Sequence, residues 1–240
     1  MSLDLNHAKH GSHGEGHFQG GAALRDIVIG MSDGLTVPFA LAAGLSGASL
    51  ANSVILTAGL AELVAGAISM GLGGFLAGKS DIEHYASELR REGREIEEIP
   101  GAEKEEIKII LKKYGISSTT QQQFVSELAQ NKKHWLQFMM EFELGLQKPD
   151  QSQVKWGAIR IGGAYALGGF VPLSAYFITD SARSGLVLSS IFTVLALGIF
   201  GYMKSRFLDQ PRASGAIRMI IVGTIAATVS FFVARLVAQI

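Results

Sequence analysis

The chain has 240 residues, 48% of them hydrophobic, and its 21 basic and 21 acidic side chains cancel. A mean hydropathy of +0.28 is higher than a soluble domain of this size usually reaches, and a balanced charge offers no electrostatic footprint for nucleic acid. Cys is absent, which excludes a disulfide framework and a thiolate metal site and leaves His, Met and carboxylates as the available ligands.

Residues 1–20 are rich in His and Gly, with His7, His10, His13 and His17 spaced as HxxHxxHxxxH. They lack periodic apolar residues and an apolar stretch before a cleavage site, so they read as a flexible tail able to bind metal loosely, not as a signal peptide. Residues 21–80 hold two stretches long enough to cross a bilayer, about 24–45 and 53–78, since a span needs roughly 20 mostly apolar residues. Residues 81–154 carry most of the charge and read as a helical, water-exposed module. Gly115 is the expected C-cap of its second helix, and Ser117 to Thr120 supply N-cap oxygens for the next. No turn signal separates Lys79 from Tyr85, so the second span should run on into the module. Residues 155–240 hold three more stretches, about 157–178, 186–202 and 216–237.

The expected fold is therefore an all-α membrane protein of five transmembrane helices, with a cytosolic helical metal-binding module between the second and third. Short loops make hairpins of spans one and two and of spans three and four. Basic residues gather on the side of Arg25, the module, Lys204, Arg206 and Arg212. By the positive-inside rule that side is cytosolic, which puts the N-terminus in the cytosol and the C-terminus across the membrane.

Two carboxylates stand where lipid is expected: Asp33 in the first span and Glu62 in the second. A charged side chain at mid-membrane costs at least about 2–3 kcal/mol. Neither span holds a base within it that could pair with these acids, so a cation or a proton is the expected partner. Met70 follows Glu62 by eight residues, a net rotation of roughly 80°, and shares one side of the helix with it. Thioether and carboxylate together suit a borderline transition metal, and Pro38 frees a backbone carbonyl as a further donor. The plainer alternatives stay open: Asp33 capping a break at Ser32-Asp33-Gly34, Glu62 protonated and hydrogen-bonded between helices, Met70 as packing.

In the module, Glu92 and Glu95 lie three apart on one helix, and Glu103 and Glu106 three apart on the next. Such pairs share a helix face and can converge on a cation. The FMMEFE run adds Met139, Met140, Glu141 and Glu143. A solvated charged surface is the competing reading of these glutamates.

The stretches DIVIGMSDGLTVPFALAAGLSG and AELVAGAISMGLGGFLA resemble the first hairpin of the vacuolar iron transporter family, plant members above all, and the likeness extends over nearly the whole chain. The resemblance implies a proton-coupled exporter carrying Fe²⁺ from the cytosol into the vacuole, a homodimer in the vacuolar membrane whose partners are lipids, metal ions and protons. It implies an ion path lined by Asp33, Glu62 and Met70, and cytosolic metal ligands Glu92, Glu95, Glu103, Glu106, Met139, Met140 and Glu143, where Zn²⁺, Co²⁺ or Mn²⁺ can substitute. No catalytic residue is expected. Three rivals stand beside this reading: an exporter of Mn²⁺ or of many transition metals with the same architecture, a membrane-tethered diiron oxidase, and a non-transporting membrane scaffold or receptor, which leaves the lone acids unexplained. The oxidase is disfavoured because such sites use Glu-x-x-His pairs, and the module contains none.

Overall fold

The computed structural model describes residues 20–240, all helix, turn or loop. The histidines at 7, 10, 13 and 17 lie outside the described residues. Eight α-helices follow one another: α1 (Gly20–Gly47), α2 (Asn52–Glu98), α3 (Pro100–Lys113), α4 (Ser118–Leu128), α5 (Lys132–Phe138), α6 (Gln151–Phe177), α7 (Ala182–Phe207) and α8 (Arg212–Val237). A π-helical turn, Met139–Glu143, continues α5.

Four of these, α1, α2, α7 and α8, are long and apolar enough to cross a membrane. α6 corresponds to the expected third span and is of similar length, but it is less apolar. Arg160, Tyr165, Pro172, Tyr176 and a run of glycines dilute it. Its position explains the difference. α6 is the central helix, packed by α1, α2 and α7, and only one face, with Ile159, Leu167, Phe170 and Phe177, is exposed.

Small residues set this packing. A Cβ on Gly34 of α1 would lie 2.8 Å from the Tyr165 Cα, and one on Gly168 of α6 would lie 3.0 Å from the Leu35 nitrogen. The two backbones therefore touch directly, the close approach that small residues allow in lipid. At the far end, Asn52 donates from Nδ2 to the carbonyls of Tyr176 and Thr179 at 3.0 and 2.9 Å, tying the α1–α2 turn to the end of α6.

The charged middle of the chain forms its own pack. Ile96, Ile107, Leu111, Val125, Trp135 and Met139 make one buried cluster. As expected from the sequence, α2 runs unbroken from the apolar stretch into this region. Gly115 takes a left-handed φ of +74° after α3, and the Ser117 side chain caps α4 by accepting from the Thr120 N–H. The helical pattern that runs on from Ser118 is broken between Leu128 and Lys132. Asn131 accepts from the N–H groups of Lys133 and His134, an N-cap that starts α5 afresh.

Candidate functional site

The acidic site grows from three helix ends. α2 presents Glu92 and Glu95 one turn apart. Pro100 starts α3 at once, so Glu103 and Glu106 face them across a one-residue break at Ile99. The π-helical turn brings in Glu143, and its wider winding lets two consecutive methionines, Met139 and Met140, both lie buried. Glu92, Glu95 and Glu103 can place one oxygen each within 4.8 Å of one another, and so can Glu103, Glu106 and Glu143. Glu103 belongs to both groups, so its two oxygens can serve two neighbouring cations. Met139 is accounted for by the apolar cluster; Met140 is buried outside it and is the freer sulfur donor. Glu141 is exposed and joins neither group.

Electrostatics mark the site as short of positive charge. Glu92 is buried and pushed up to about 8, first by burial, then by its hydrogen bond with Glu103 and the charges of Glu143, Glu103 and Glu95. Burial, then the charges of Glu106 and Glu103, push Glu143 up to about 7. Burial also raises Glu103, against the lowering effect of its hydrogen bond with Glu92. Glu92 Oε1 and Glu103 Oε2 are buried without a hydrogen-bond partner among the described residues. An array of acids with orphaned inward oxygens is what a divalent cation satisfies, and carboxylate oxygens with one thioether fit a borderline metal.

In the apolar bundle, Glu62 and Met70 lie eight residues apart on α2, about 12 Å along its axis. Glu62 is half-buried and accepts a hydrogen bond at Oε1 from the Tyr165 hydroxyl, while its Oε2 is buried and unpartnered. Asp33 is exposed on the single chain. Met70 lines a separate cavity on the side of the charged module. No described basic side chain pairs with Asp33 or Glu62.

Two features escaped the sequence reading. The first is Tyr165, now the hydrogen-bond partner of Glu62. Its signal was a lone large residue inside GGAYALGG, where Gly66 of α2 makes room for it: a Cβ on Gly66 would lie 2.5 Å from the phenol oxygen. The second is an ion pair. Asp26, only 3% exposed, accepts at Oδ2 from Arg160 Nε and Nη2 at 3.1 and 2.9 Å, and Arg25 approaches its other oxygen at 3.6 Å. Arg160 is thus a base inside the bundle, but it serves a third acid near the start of α1.

The chain is similar to known proteins along most of its length. The sequence profile described as the VIT family matches residues 24–235. "Vacuolar iron transporter 1" of Eucalyptus grandis is 50% identical over 94% of this chain and 90% of its own length. The protein of the same name from Arabidopsis thaliana is 49% identical over the same shares. "Protein CCC1" of Saccharomyces cerevisiae is 38% identical over 89% of this chain and 68% of its own length. With a match along almost its full extent, the chain belongs to the VIT family.

Proposed function

We propose that the chain exports Fe²⁺ from the cytosol into the vacuole in exchange for protons. The family's members are transporters, not enzymes, and the relatives named above include vacuolar iron transporters. In this reading α6 is the third of five spans, residues 81–154 are a cytosolic module that gathers metal, and the C-terminus faces the lumen. The observation that carries the reading is Glu103 of α3, shared by two sets of three carboxylates, one of which takes Glu92 and Glu95 from the same unbroken α2 that carries Glu62.

Cation and proton compete for these acids: burial favours the protonated carboxyl, and a nearby dication favours the carboxylate. Metal binding then releases protons, and protonation releases metal. An acidic lumen protonates Asp33 and Glu62 and discharges the cation there. Asp33, exposed at mid-span on a single chain, is tolerable in lipid only when covered or neutralised. That supports a homodimer in which the first two spans of each copy face one another.

The test is uptake by proteoliposomes of Fe²⁺, Mn²⁺, Zn²⁺ and Co²⁺, with and without an acidic interior. Fe²⁺ should accumulate in proportion to the pH difference. Accumulation no greater than in protein-free vesicles would falsify the reading, and Mn²⁺ uptake outpacing Fe²⁺ would transfer the same mechanism to the other metal.

A further inference from the structure

α2 repeats its chemistry at a fixed interval. Met70, Asp81 and Glu92 are successively eleven residues apart on one helix that contains no proline. Eleven residues come close to three full turns, so the three side chains leave α2 in nearly one direction, about 16 Å apart along its axis. Glu92 belongs to the acidic site and Met70 to the candidate path. A cation leaving Glu92 has about 33 Å to travel to Met70, and Asp81 stands midway.

A cavity of about 570 Å³ opens between α1, α2 and α6, and both Met70 and Asp81 line it. Between them its wall is made by Gly73, Gly74, Ala77 and Gly78; Gly73 faces open space, while Ile161 and Val154 of α6 close on Gly74 and Gly78. Met70 and Asp81 thus stand on one cavity wall with only small residues of α2 between them on it. Four other charged groups line it, and each is engaged. Arg25 and Arg160 turn towards Asp26, while Asp150 accepts from the Ser152 N–H at 2.8 Å as the cap of α6. Lys79, the base nearest in sequence to Asp81, pairs with Glu83 at 3.5 Å instead. Asp81 is exposed, and among the described residues it makes no ion pair.

We infer that this cavity is the cytosolic vestibule of the transport path, and that Asp81 is an intermediate ligand in it for a partly hydrated divalent cation passing from the acidic site to Met70. The inference rests on the transport reading above and adds a residue and a route to it. Arg25 and Arg160, held by Asp26, leave the passage without a competing free base.

The experiment is initial uptake of Fe²⁺ by the full chain in proteoliposomes across a range of metal concentrations. Asp81→Asn removes a charge from an exposed position and should leave folding intact. Uptake at limiting metal should fall about tenfold, the loss of local cation enrichment in a charged cleft, while uptake at saturating metal changes far less. Asp81→Glu should restore the wild-type profile, Asp81→Lys should depress it further, and calorimetry on the detergent-solubilised chain should find the acidic site at full stoichiometry in all three. Asn and Lys variants with wild-type uptake at limiting metal overturn the vestibule while leaving transport standing. If the wild-type chain itself accumulates no metal, the transport reading fails and the vestibule falls with it.

Discussion

The Tyr165 hydroxyl on α6 donates to Glu62 Oε1 on α2, and the other oxygen of that carboxylate is left buried and unpartnered. One lone-pair set is thus fixed by a neutral donor, and the second is free for a cation or a proton. Tyr165→Phe removes the donor but keeps the ring in the space above Gly66. A hydrogen bond to a charged group contributes about 1.5 kcal/mol or more, so Fe²⁺ uptake by proteoliposomes should drop roughly tenfold. The thermal midpoint of the purified variant should stay close to wild type; an unchanged uptake rate would show that Glu62 needs no such orientation.

Gly34→Ala should act on folding instead of transport. The added Cβ would overlap the Tyr165 carbonyl and lie 2.8 Å from its Cα, both backbone atoms that cannot turn aside. Overpacking of this kind costs typically about 1–3 kcal/mol, and here it forces apart the two most intimately packed helices. Thermal unfolding in detergent should show a clear fall in midpoint and a lower yield of monodisperse protein.

Asp33→Ala should leave folding almost untouched, because Asp33 is exposed on the single chain and removing a charge from an apolar surface lowers its cost in lipid. Metal uptake should fall to background, with the oligomeric state on gel filtration unchanged. Normal uptake in a folded Asp33→Ala protein would remove this acid from the mechanism.

Within the acidic site the shared residue should matter most. Glu103→Gln takes a ligand from both groups of three, whereas Glu95→Gln and Glu143→Gln each take one from a single group. Calorimetry on the full chain should show Glu103→Gln losing more than one bound cation per chain, and each of the other two losing at most one.

The raised carboxyls give a pH dependence with a definite sign. Glu92 near 8 and Glu143 near 7, against an ordinary 4.5, mean that the folded metal-free chain holds more protons than the unfolded chain between those limits. Its stability should therefore fall as pH rises from about 4.5 to about 8. Bound metal replaces the protons, so the stabilisation that Fe²⁺ gives should grow over the same interval. Calorimetry near neutral pH in buffers of different ionisation enthalpy should register proton release on binding.

How far the sequence foretold this depends on the range of the interaction. The unbroken course of α2, the Gly115 turn and the Ser117 cap follow from neighbours in the chain, and each is read from a few adjacent residues. The glutamate pairs at i and i+3 were legible as faces, although only the tertiary fold brings Glu143 beside Glu106. Asn131 was missed because its capping competes with a helical pattern that otherwise continues. α6 was expected as an ordinary span, yet its burial at the centre of the bundle loosens the demand for apolar residues. Tyr165 and Arg160 could not be assigned, since their partners lie on other helices 103 and 134 residues away in the chain.

α2 extends without a break from Asn52 to Glu98, about 70 Å at the usual rise. Glu92 and Glu62 consequently ride a single stiff rod with no joint between them to absorb motion. If cations gather at the acidic end, a tilt imposed there would be carried lever-fashion toward the seat of Tyr165 deep in the bundle, and filling one end would shift the other.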